Sequence, residues 1–185
     1  MAGLGGQRSH RQLRAEHESR HAVIAVHLGL AIDRLDLIVD GNSRGRVLLH
    51  FRSEAERARR VYDRILVGYA GLVGKPGGEP QDFYAEDIRV CGTLLSQEYP
   101  SNWRHVRAES LRAVHAMLHH QRVIRALEVV CPLVFSCLER GAVAISGIRL
   151  MKVVRACFRQ VEGKVTGRYL DSIRDADCAE SLVSD

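Results

Sequence analysis

The stretch from Ala15 to Leu30, AEHESRHAVIAVHLGL, sets two histidines four residues apart at the head of an apolar run, and no other segment constrains the fold as much. A helix advances 3.6 residues per turn, so His17 and His21 stand one above the other and can direct their imidazoles at one point. Leu13, His17, His21, Ile24 and Leu28 recur at spacings of four, four, three and four, the stripe that a helix turns toward a core. Two imidazoles buried on one stripe need partners. Glu18 completes an HExxH pattern, in which the histidines hold zinc and the glutamate, a quarter-turn away, serves as general base toward water activated by the ion. A lone histidine on such a stripe reads instead as a hydrogen-bonded core residue, and His27, which lies off the pair, is read that way.

A catalytic zinc takes three protein ligands and keeps one position open, so a further ligand is expected downstream. In AEDIRVCGTLL, residues 85–95, Asp87 shares one side of a helix with Cys91, Leu94 and Leu95. A carboxylate at the head of a buried stripe is costly unless a cation or donors meet it. It is also the residue that the first turn of a helix favours through its macrodipole, so the ligand reading and the helix-end reading both stand. Glu86, Asp82 and Glu79 are the alternative ligands.

Local signals give a mainly helical chain with a small β-hairpin. A first helix is expected from Arg11 to Leu28, closed by Gly29. Strands at Leu35–Val39 and Val47–Phe51 flank a turn over residues 40–45, which is rich in residues that tolerate positive φ. Ser53 and Glu56 form a capping box for a helix carrying Val61, Ile65, Leu66, Tyr69 and Val73. A loop from Gly74 to Tyr84 leads to the helix of Asp87, and Pro100 ends that helix. A long helical region then begins near Ser101 and Trp103, and Pro132 is expected to kink or divide it. Gly141 ends the next helix and Ser146 caps another. GLVGKP, residues 71–76, fails the phosphate-loop spacing and has Pro76 where a hydroxyl residue is needed.

One domain over residues 11–162 is expected, with a loose tail over 1–10 and a polar tail over 163–185; at 46% hydrophobic residues the chain can bury one core. No apolar run approaches the ~20 residues of a membrane span, and the first residues lack the apolar segment of a signal peptide. Five cysteines without CxxC spacing point to free thiols and a reducing, cytoplasmic setting. Cys91, Cys131, Cys137 and Cys157 fall in apolar helical patterns and are assigned to the core. The net charge of +5 does not imply nucleic-acid binding: 24 of the 27 basic residues are Arg, spread along the chain with few aromatics between them. The densest group, Arg57, Arg59, Arg60 and Arg64, reads as the solvated face of a helix.

Taken together, HESRHAVIAV, the strand pair, the Ala70-Gly71 step and the Asp87-Ile88 pair resemble the peptidase domain of the FtsH-type ATP-dependent zinc proteases over about Leu13 to Val154. Those domains carry HEAGHA followed by an apolar helix, a short strand pair, a helix with an Ala-Gly step, and a third zinc-ligand Asp before an Ile at the start of the next helix. Leu138-Glu139-Arg140-Gly141 and Ser146-Gly147-Ile148-Arg149 are similar to the family's later helix end and last short helix. The resemblance implies a zincin-like helical metallopeptidase domain with zinc on His17, His21 and Asp87 and Glu18 as base. Arg20 replaces the family's Gly and sets a long cation near the site. The family's membrane span and ATPase domain have no counterpart in these residues. Flexible or unfolded polypeptides are therefore the expected substrates, with a separate ATPase or adaptor as a further partner. By analogy with peptidases that add an extended substrate to a sheet edge, Val47, Leu48, Leu49 and His50 are the expected substrate-binding strand. The alternative is a catalytically silent relative that keeps the fold as a binding or regulatory module.

Overall fold

Helix α1 (His10–His27) begins where the sequence provides a reciprocal cap. The Ser9 hydroxyl accepts from the Gln12 amide, and the Gln12 side chain accepts from the Ser9 amide. It ends ahead of Gly29, whose φ of 74° is the left-handed conformation that favours glycine. These limits agree with the expected helix to one residue at either end. The expected single stripe understates its burial, however: every residue from Ala22 to Val26 is at most 7% exposed. A helix enclosed on all sides lies in the middle of the fold, here against α6 (Gln121–Glu139), α3 (Val61–Ala70) and α7 (Gly147–Val161). The computed structural model describes residues 9–37, 45–73 and 84–163. The turn over 40–44, the loop over 74–83, Val39 and both expected tails beyond Ser9 and Gly163 lie outside them.

A small antiparallel sheet lies against α1 and α7, with β1 (Ala31–Asp36) between β2 (Arg46–His50) and β3 (Ala144–Ser146). Leu35 stands opposite Val47 on one side and Ile145 on the other. The first strand was expected from Leu35; it starts at Ala31, almost directly after Gly29, with a register shift between Ile32 and Arg34. β3 was not expected. Three residues are too few for alternation to register, and Ser146, expected as a helix cap, precedes α7 without a capping bond from its side chain. α7 packs so closely on β1 that a side chain at Gly147 would strike the Ile32 carbonyl. At 15 residues, α7 is also not the short last helix that the resemblance implied.

Two helix boundaries differ from expectation. The helix after Ser53 is two helices, α2 (Glu54–Arg59) and α3, broken at Arg60 with φ −100° and ψ 18°. The Ser53 hydroxyl accepts from the Glu56 amide as expected, but the Glu56 carboxylate accepts from the Arg52 amide rather than that of Ser53. α2 buries nothing, whereas α3 buries Val61, Ile65, Leu66 and Tyr69, so the break lets α3 follow the core while α2 stays at the surface. Arg57 and Arg59 are exposed as expected; Arg60 and Arg64 are half-buried, with Arg60 bonded to Asp63.

The second difference is that α6 runs through Pro132, and the division falls at His119-His120, between α5 (Trp103–Leu118) and α6. Pro132 is exposed, and so is Glu128 four residues earlier, where the missing N–H leaves a carbonyl that can face water. Val130, Leu133, Val134 and Cys137 are buried on both sides of the proline, so both halves of the helix are anchored in the core. α4 (Ala85–Glu98) ends ahead of Pro100, and Gly141, at φ 73°, closes α6. Cys91, Cys137 and Cys157 are buried and in no disulfide, while Cys131 is only half-buried. No helix among the described residues is long and apolar enough to cross a membrane.

His27, near the end of α1, accepts a hydrogen bond from Arg122 Nε at 3.1 Å and packs edge-on against Phe158. Burial, with the nearby Arg122 and His120 charges, lowers its pKa to about 4. The folded state thus binds this proton less readily than the unfolded chain, so the contribution of His27 is complete above pH ~6.5 and declines as pH falls toward 4. Between pH 6.5 and 4.5, the fall in Tm should be shallower in His27→Gln than in the unaltered protein. Parallel curves would remove His27 from the acid response.

Candidate metal centre

α1 and α4 bring three donor atoms together. His17 Nε2 and His21 Nε2 are 3.0 Å apart, and Asp87 Oδ2 is 3.1 Å from the first and 3.2 Å from the second. The helical spacing of four accounts for the first distance. The other two arise because Asp87, in the first turn of α4, faces α1 while α4 is anchored by Cys91 and Leu95. Ligand atoms about 2.0–2.1 Å from a tetrahedral zinc lie roughly 3.3 Å from one another, so this near-equilateral triangle fits three corners and leaves one open. Among the described residues, no other group of three or more His, Cys, Asp or Glu side chains is arranged to hold a metal. His115 and His119 share the spacing of four, with ring centroids 4.3 Å apart, yet both are exposed.

The surroundings suit metal ligation. His21 Nδ1 donates to the Val67 carbonyl at 2.6 Å, which leaves the Nε2 lone pair of the neutral ring directed at the centre. Burial acts to lower the His21 pKa, but the Asp87 charge and hydrogen bond outweigh it and raise the value to about 9. Burial likewise opposes ionisation of Asp87, yet His21 and His17 hold its carboxyl well below the usual carboxylate range. The cluster is a half-buried carboxylate beside two buried imidazoles, which a divalent cation can replace a proton to join. Tyr84, 3% exposed at the start of α4, packs edge-on against His17 with ring centroids 5.3 Å apart.

Glu18 lies beside the triad and is 3% exposed. Burial pushes its carboxyl pKa up and Asp87 adds to this, whereas His17, His21 and Arg14 pull it down. Glycines surround these side chains where nothing larger fits. A Cβ at Gly45, just before β2, would collide with the Glu18 carboxylate, and one at Gly71 would collide with His17 and His21. Gly71 has φ −66° and ψ −32°, a conformation open to any residue, so space alone requires glycine there. Gly71→Ala should keep the fold at a cost of about 1–3 kcal/mol and weaken any affinity of the triad for a divalent metal ion by about 10–100-fold, as titration against a chelating dye would measure. Unchanged affinity would mean that the imidazoles yield freely.

Of the alternative ligands, Glu86 is exposed and bonded twice to Arg89, away from the triad, while Asp82 and Glu79 lie outside the described residues. Arg20 pairs with Glu16 at 3.5 Å and does not join the triad. On β2, Val47, Leu48 and Leu49 are half-buried and His50 is exposed. The Gly45 end of this strand adjoins Glu18; His50, paired with Ala31, stands at the other end, about 16 Å along the strand at ~3.3 Å per residue. Sequence reasoning did not assign a role to Gly45, Tyr84 or the Val67 carbonyl, because their proximity to the histidines arises only in the folded chain. No family model, curated protein or solved structure matches this chain.

Proposed function

We propose that this chain is a zinc-dependent metallopeptidase with a zincin-like domain of the FtsH type, in which His17, His21 and Asp87 hold the ion and Glu18 is the general base. The observation that carries this reading is the triangle of donor atoms 3.0–3.2 Å apart with the HExxH carboxylate buried beside it. When bound, zinc would polarise a peptide carbonyl and make water a nucleophile near neutral pH. Glu18 would take a proton from that water and return it to the departing nitrogen. Its raised pKa suits a carboxylate that must hold a proton between the two transfers. His21 is kept in one orientation by Val67, and Gly71 and Tyr84 confine His17.

β2 is an edge strand among the described residues, so an extended polypeptide can add to it at Val47–Leu49 and run past Glu18. That geometry selects flexible or unfolded chains, with a separate ATPase or adaptor needed only for folded ones. A second reading, a binding module without catalysis, is favoured by one observation: Glu18 is almost fully enclosed under the Gly45 backbone. Elemental analysis comes first. One zinc per chain is expected, absent from the His17→Ala, His21→Ala double variant; no zinc in either, under metal-preserving conditions, would overturn both the centre and the peptidase reading. Zinc without cleavage of an unfolded fluorescent polypeptide would favour the binding module.

A further inference from the structure

Arg14 is enclosed in the protein at 2% exposure, and neither its Nε nor its Nη1 has an acceptor among the described residues. A buried guanidinium with unused donors is costly, so its retention calls for an occupant. Successive helix residues are about 100° apart around the axis, which sets Arg14 within about 60° of His17, Glu18 and His21. It therefore stands on the face of α1 that carries the metal site, one turn toward the amino end. Glu18, four residues on, is near enough for its charge to act on Arg14, yet its Oε2 is itself buried with no hydrogen-bond partner among the described residues. A guanidinium and a carboxyl group, one turn apart, thus each keep bonding capacity that the described residues do not use.

We propose that Arg14 is a specificity-determining residue that receives a carboxylate of the substrate, while the His17, His21 and Asp87 centre engages a nearby peptide carbonyl. The planar guanidinium fork matches a carboxylate through two parallel N–H···O bonds. A polypeptide brings that group from two sources, an acidic side chain or a free carboxy terminus. The inference rests on the peptidase reading for the identity of the ligand, but its test does not depend on turnover.

Three peptides of one length separate the sources: one neutral with an amidated end, one neutral with a free end, and one with a central Glu and an amidated end. Their binding to zinc-loaded Glu18→Gln protein is measured by calorimetry, so that no peptide is consumed. At least one carboxylate peptide should bind about 10–100-fold more tightly than the neutral amide, as a charge-assisted hydrogen bond allows, and which one does so identifies the source. The advantage should vanish in Arg14→Met made in the same background and return in part in Arg14→Lys, with melting curves showing that both fold. If Arg14→Met does not fold, Arg14→Lys supplies the comparison: a reduced advantage is expected, and an undiminished one would overturn the proposal. Equal affinity for all three peptides would overturn the proposal, and so would an advantage that survives in Arg14→Met. Zinc content and cleavage of unfolded polypeptide by the unaltered chain report separately on the peptidase reading. Active protein that does not discriminate sinks this inference alone, and discriminating protein that never cleaves sinks only the other.

Discussion

Glu18→Gln is expected to retain its zinc and lose cleavage by about 10²–10⁴-fold, the range that a positioned general base contributes. The substitution keeps the size of a side chain that fits under Gly45 and removes only the ability to take a proton. Burial disfavours the charged carboxylate whereas Arg14, His17 and His21 favour it, so the melting curve shows which of the two prevails. Elemental analysis, a melting curve and the rate on an unfolded fluorescent polypeptide form the test. A variant that cleaves at the original rate would remove Glu18 from the mechanism whatever the metal content.

Asp87→Ala is expected to lose zinc affinity by more than the ~10–100-fold that deleting an outer-shell partner costs, because it removes one of three donors outright. It should also leave His17 and His21, buried and 3.0 Å apart, without the carboxylate that lies between them. Asp87→Asn separates these effects, since an amide can still accept a hydrogen bond while ligating metal poorly. Zinc affinity unchanged in Asp87→Ala would assign the third position to another group and leave Asp87 as a helix-end residue.

How much of this was legible in the sequence depends on the range of the interaction concerned. The His17, His21 pair needs only helical spacing and an apolar stripe, both written within a few residues, and the two rings do meet. Asp87 could be placed on a helix face but not toward α1, because a first-turn carboxylate serves the helix dipole equally well; its partner is set by how α4 packs. The end of α1 was readable from Gly29, whereas the Ser9–Gln12 cap at its start falls in the stretch expected as a loose tail and was not read. Pro132 does not divide α6, because a proline breaks a helix only where its lost bond and ring have no remedy, and here the exposed side of α6 provides one. β3 is shorter than the period needed to detect it, and the break at Arg60 reflects unequal burial on its two sides. Arg14 was one arginine among 24, and nothing local distinguishes an enclosed one.

The proposed ligands come from two elements separated along the chain, His21 in α1 and Asp87 in α4, with 66 residues from one to the other. An ion joining them closes that length of chain into a ring, as a cross-link does. By the loop-entropy estimate made for disulfides, a closure of this size removes on the order of 4 kcal/mol of freedom from the unfolded ensemble. A centre proposed for chemistry is by the same geometry a clasp between the enclosed first helix and the helices that follow β2. Chelation would therefore loosen the whole domain, and the resistance of the chain to unfolding, including to proteases, would follow the supply of zinc.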